Sequence, residues 1–121
     1  MAEKHRGLVV FAEHRYFGES LPFGSSSFQE GKIGYLTVEQ ALADYAELIL
    51  HLKKVYNAES NYWLALGGSY GGMLSAWFRI QYPHVVDGAL AGSAPILETN
   101  YQANPPYFTT VTNDFARIDK R

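Results

Sequence analysis

The chain has 121 residues, 47% hydrophobic and 18% charged, a length and balance that support one globular domain around a single core. Its net charge of −2, with lysine and arginine scattered, lays down no basic footprint for nucleic acid. No apolar run approaches the roughly 20 residues that a membrane span needs. Without cysteine there is no disulfide or thiolate zinc site, and four dispersed histidines lack ligand spacing, so neither metal nor cofactor is expected.

Taken in order, the N-terminal residues Met1 to Arg6 lack a secretory apolar core, so no signal peptide is expected in this chain. Leu8 to Ala12 is a continuous apolar run that predicts a fully buried parallel strand over 8–13. It leads into the polar-aromatic stretch Glu13 to Ser20, at the strand end where ligands collect in open α/β sheets. Pro22, Gly24 and Gly31 mark a surface loop. Thr37 and Gln40 have capping-box spacing, and Val38, Ala41, Leu42, Tyr45, Leu48, Ile49, Leu52 and Val55 form one apolar stripe, predicting a helix over 37–56. A strand is expected over 62–67, a helix over 70–82 with Met73, Trp77 and Ile80 as its stripe backed by Leu74 and Ala76, and a third strand over 85–91. Pro105-Pro106 reads as a break, and Tyr107 to Arg117 as the start of another helix. The order predicts an α/β fold with a parallel sheet.

The chemistry concentrates at Gly67-Gly68-Ser69-Tyr70-Gly71. A G-x-S-x-G pentapeptide between a strand and a helix is a nucleophile elbow, the signature of a partial α/β-hydrolase core. Ser69 is the candidate nucleophile, lifted above the sheet edge on a strained turn, and the Tyr70 backbone N–H is the candidate oxyanion donor. Gly67 and Gly71 are expected to be glycine because a side chain at either would collide with the neighbouring strand or helix. A serine hydroxyl needs a histidine base, which needs a carboxylate to orient it. His84 falls a helix length from Ser69 at the wrong sheet edge, and His14 precedes the serine, out of order for this fold. His14 is read as a hydrogen-bonding strut, Glu98 as a solvated loop residue, and Asp87 and Asp114 as residues without a nameable partner. The triad is expected to be incomplete within these residues.

Three stretches carry a family resemblance: Phe11 to Gly24, Leu36 to Asp44, and Gly67 to Leu74, supported by Tyr82-Pro83-His84 and Gly88 to Ile96. On them the chain resembles the prolyl-specific serine peptidases, the family of lysosomal Pro-X carboxypeptidases and dipeptidyl peptidases II, over about three quarters of its length. The resemblance implies an α/β-hydrolase core, here residues 1–97, with residues 98–121 as the beginning of an inserted helical cap. It implies a peptide substrate with proline before the scissile bond, cleaved as a carboxypeptidase or a dipeptidyl peptidase. Lysosomal or secreted location and dimerisation are implied as well, with no nucleic-acid or membrane partner. Ser69 matches the nucleophile, Tyr70 the oxyanion amide, and Met73 a residue lining the proline pocket, although plain core packing of Met73 fits equally. Glu13 and Arg15 are expected to form an ion pair shaping the rim. Two other readings stay open: a non-catalytic product that binds a partner or has no activity, and a lipase or esterase on the same fold.

Overall fold

The computed structural model describes residues 2–99 and 107–119. The elements are α1 (Ala2–His5), α2 (Val38–Val55), β1 (Leu64–Gly68), α3 (Tyr70–Gln81), β2 (Gly88–Gly92) and α4 (Tyr107–Ile118), with short 3-10 turns at Gly24–Ser26, Ile33–Tyr35 and Ile96–Thr99. β1 and β2 pair in parallel, from Leu64 opposite Gly88 to Gly68 opposite Gly92, with α3 as the crossover. This is a partial α/β fold, as the sequence predicts.

α2 begins where Thr37 accepts a bond from the Gln40 N–H through its hydroxyl, at 3.2 Å. The reciprocal half of the capping box is absent, because the Gln40 side chain turns away to accept from Arg15. Leu42 and Ala46 from α2 meet Leu74 and Phe78 from α3, and the core is completed by Val85 and Val86. Burying a side chain of that size contributes about 1.5–3 kcal/mol, so this cluster holds the two helices together. The buried face of α3 is Gly72, Leu74, Ser75 and Phe78. Leu74 is buried as expected, but the rest of the expected stripe is rotated: Trp77 is only half-buried against the core, and Ile80 is exposed. Gly72 is the reason, since it lets the helix approach the end of β2 on that side.

Both paired strands shift from their expected bounds, 62–67 to Leu64–Gly68 and 85–91 to Gly88–Gly92. The third strand begins at Gly88 instead of Val85, because the Val85 and Val86 N–H groups donate to the Tyr82 carbonyl and hold 82–86 as a turn that aims both valines into the core. Asp87 then ties the mouth of the sheet. Its N–H donates to Trp63 O and its carboxylate accepts from Trp63 N, both at 2.8 Å.

The expected strand at 8–13 is the larger correction. Among the described residues that run has no ladder partner, and Leu8, Val9, Val10 and Phe11 are exposed. A strand exists only where a neighbour takes its backbone hydrogen bonds. Here a groove of about 620 Å³, lined by Leu8, Val10 and Ala12 and by Leu64 to Leu66, adjoins both the run and β1. α4 is helical as expected, while Pro105 and Pro106 lie outside the described residues.

Candidate active site

Ser69 occupies the step between β1 and α3 with φ 54° and ψ −122°. Positive φ is sparsely populated for a residue with a Cβ and costs on the order of 1–3 kcal/mol. Two backbone bonds hold it there: Ser69 N–H donates to Gly92 O at 2.9 Å, and Ser69 O accepts from Met73 N–H at 3.0 Å. The sheet thus clamps one side of the residue and the helix the other.

Serine at a helix start ordinarily caps the first turn with its hydroxyl. Ser69 makes no such bond, and among the described residues its hydroxyl has no hydrogen-bond partner. The same twist leaves the first N–H groups of α3, beginning with Tyr70, without a side-chain cap. An exposed hydroxyl beside uncapped helix N–H groups can attack an acyl carbon and stabilise the oxyanion that forms.

The elbow turns so sharply because of Gly67. A Cβ there would stand 2.1 Å from the Gly71 carbonyl oxygen and 2.7 Å from Ser75 Oγ. The matching expectation for Gly71 fails, since a Cβ at that position meets nothing within 4 Å. The crowded helix glycine is Gly72, whose Cβ would lie 2.9 Å from Gly92 O and 3.1 Å from Ala94 Cβ. Position 72 faces the end of β2, whereas Gly71 borders the open groove. Met73, one turn beyond Ser69, is half-buried and stands outside the buried core cluster.

The loop after residue 12 forms the rim, but not through a Glu13–Arg15 pair. Arg15 grips both Asp44 oxygens, from Nε and Nη2, each at 2.6 Å, and its Nη1 donates to Gln40 Oε1 and Tyr35 O at 3.0 Å. The partner lies in α2, a long-range choice that adjacency in sequence does not reveal. The hydrogen bond to Asp44 raises the Arg15 pKa still further, so the guanidinium stays charged. Arg15→Lys removes the planar fork. Because Asp44 is 43% exposed and solvent screens the pair, the expected loss is about 1 kcal/mol, read as a fall of a few degrees in the unfolding temperature. No change in that temperature would show that the fork adds nothing.

Glu13 instead accepts from the Ser20 N–H at 2.8 Å and the Glu19 N–H at 3.0 Å, closing the loop on itself. Gly18, at φ 56°, leaves room for that carboxylate, which a Cβ would overlap. The bonds from Ser20 outweigh the opposing effect of desolvation and hold the Glu13 pKa below its ordinary value of 4.5, with the Glu19 amide adding the smallest lowering effect. A depressed carboxylate stabilises the fold above its unfolded pKa, and that contribution disappears as pH falls through the folded value. Loop closure is therefore expected to hold at neutral pH and to weaken only as pH falls below the ordinary glutamate value of 4.5 toward the lower folded one. Amide exchange at Ser20 measures this, with Glu13→Gln as control; protection already lost at pH 6 would contradict it.

His14 and Tyr70 join the rim to the elbow: His14 Nε2 lies 3.0 Å from Tyr70 Oη, and Nδ1 lies 2.7 Å from Arg15 O. Both ring nitrogens are engaged elsewhere, and His14 makes no hydrogen bond to the Ser69 hydroxyl. His84 follows the far end of α3, a helix of 12 residues at ~1.5 Å each. Glu98 is exposed in the Ile96–Thr99 turn, as expected for a solvated residue. Among the described residues no group of metal-ligating side chains converges, and no helix is long and apolar enough to cross a membrane.

A serine held at positive φ between a parallel strand and a helix defines the class as an α/β-hydrolase-like protein with a nucleophile elbow. The family model described as serine carboxypeptidase S28 matches residues 1–121, and the chain belongs to that family. It is 53% identical over 120 residues to lysosomal Pro-X carboxypeptidase of Mus musculus, covering 97% of this chain and 24% of that protein. The Homo sapiens protein of the same name is 53% identical over 122 residues, with the same shares. Thymus-specific serine protease of Homo sapiens is 38% identical over 90 residues, covering 74% of this chain and 17% of that protein. The chain thus spans about a quarter of the length of the Pro-X carboxypeptidases it matches.

Proposed function

We propose that this chain is the nucleophile-bearing segment of a longer serine exopeptidase, lysosomal or secreted, that cleaves peptides after proline. The observation that carries the reading is the uncapped, exposed Ser69 in its strained turn. Ser69 Oγ attacks the scissile carbonyl as its proton passes to an imidazole. The oxyanion accepts from the Tyr70 N–H, collapse expels the amine, which takes the proton from the imidazole, and water then hydrolyses the acyl ester to restore Ser69. Because His14 and His84 are unsuited, the base and its orienting carboxylate are assigned to the remainder of the longer protein. Met73 supports proline selectivity, since a flexible thioether one turn from the nucleophile can close over a pyrrolidine ring. The names of the family and its relatives favour release of a C-terminal residue over release of an N-terminal dipeptide. Residues 98–121, with the apolar face Phe108, Val111, Phe115 and Ile118 on α4, are read as the start of a helical cap.

The full-length protein is expected to release the C-terminal residue from an N-blocked peptide with proline next to last. Cleavage of an N-terminal X-Pro dipeptide instead would move it to the dipeptidyl peptidases. Preference for a fatty-acyl ester would return it to the lipases. The second reading, a non-catalytic product, draws on the Ser69 hydroxyl, which has no hydrogen-bond partner among the described residues. The 121-residue chain itself is expected to react slowly or not at all with a fluorophosphonate probe, and labelling abolished by Ser69→Ala would exclude the non-catalytic reading.

A further inference from the structure

We infer that His14 is a positioning residue for the elbow, acting through the Tyr70 side chain across a hydrogen bond between residues far apart in sequence; this rests on the reading of Ser69 as nucleophile. The direction of the bond follows from the donors and acceptors around the ring. His14 Nδ1 lies 2.7 Å from the Arg15 carbonyl oxygen, which can only accept, so Nδ1 carries the ring proton. In the neutral ring Nε2 is then a bare lone pair, and the Tyr70 hydroxyl at 3.0 Å donates to it. The imidazole is further caged by Phe17, Tyr45 and Tyr70, at ring-centroid distances of 5.1, 6.4 and 5.8 Å. Its neighbour Arg15 is anchored to α2 through Asp44 and Gln40.

Tyr70 is the first residue of α3 and directly follows the strained Ser69. The bond to His14 tethers the residue whose backbone N–H is the oxyanion donor to the rim loop, restricting how far that first turn of the helix can shift. Holding the ring therefore fixes the donor before substrate arrives, which affects the transition state more than ground-state binding. The rim loop thus sets the elbow without touching the reacting atoms.

The test is steady-state turnover of an N-blocked, penultimate-proline peptide by the full-length protein, with thermal unfolding followed in parallel. His14→Phe and Tyr70→Phe are each expected to lower kcat about tenfold at KM within about twofold, since a slightly misplaced catalytic group slows the reaction disproportionately. The double variant should be no worse than either single one. His14→Gln, which puts an amide oxygen where Nε2 stood, should recover most of the rate. Unchanged kcat in His14→Phe, additive losses, a loss that tracks the folded fraction, or failure of Gln to rescue would each overturn the inference. A collapse of His14→Gln to the Ser69→Ala level would do so by making His14 a direct participant. Wild-type protein without Ser69-dependent turnover would remove the nucleophile reading and this inference together. Active wild type with an indifferent His14 removes this inference alone.

Discussion

Ser69→Ala in the full-length protein is expected to lower peptide turnover by at least about 10⁴-fold while leaving substrate affinity within a few-fold. The size follows from the role. Removing a nucleophile ends covalent catalysis, and only oxyanion and binding effects remain, whereas a serine of merely structural importance would affect stability first. Little loss of folding is expected. The strained φ of 54° is set by backbone bonds to Gly92 and Met73, which alanine retains, and the hydroxyl has no partner among the described residues to lose. Alanine at that φ carries the same strain as serine. Turnover and unfolding temperature measured on the same preparations separate the outcomes. Activity within tenfold of wild type would dismiss Ser69 as nucleophile.

The second large effect is expected at Gly67. Alanine there drives a methyl group to 2.1 Å from the Gly71 carbonyl, a clash with backbone that no rotamer relieves. Overpacking of that kind costs typically about 1–3 kcal/mol, and a rigid backbone neighbour places this case at the upper end, about 3 kcal/mol. Gly71→Ala is the informative partner. The added carbon meets nothing within 4 Å, and alanine is the better helix former by up to about 1 kcal/mol, so stability should hold or rise. Chemical denaturation of both variants reads the contrast. Equal midpoints, or a larger loss at Gly71, would mean that the elbow is not tightened where the geometry says it is.

These variants also show how far local pattern carries. Helix α2 is legible from the Thr37 cap and the stripe through Leu42, because capping and 3.6-residue periodicity are properties of a few adjacent residues. The elbow is legible for the same reason: strand, serine and helix are contiguous, and the glycine at 67 answers a clash within its own turn. Which helix glycine meets the sheet is not legible. That depends on where the end of β2 passes, and the answer is Gly72.

Side-chain partners behave likewise. Adjacent opposite charges invite a Glu13–Arg15 pair, yet Arg15 reaches Asp44 and Glu13 folds back onto the amides of Glu19 and Ser20. The valines at 85–86 have the pattern of a strand and are core, held by a turn whose bonds end on Tyr82.

The amino-acid order by itself determined the α/β class, the principal helices, the position of the candidate nucleophile and the family, since each is written in contiguous residues. Tertiary structure alone decided that 8–13 lacks a ladder partner among the described residues, that Asp44 takes Arg15, and that His14 meets Tyr70. The physical reason is common to all three. Strand pairing, ion pairing and hydrogen bonds between distant residues are satisfied by groups brought together only when helices and sheet pack, and no local periodicity encodes which groups those are.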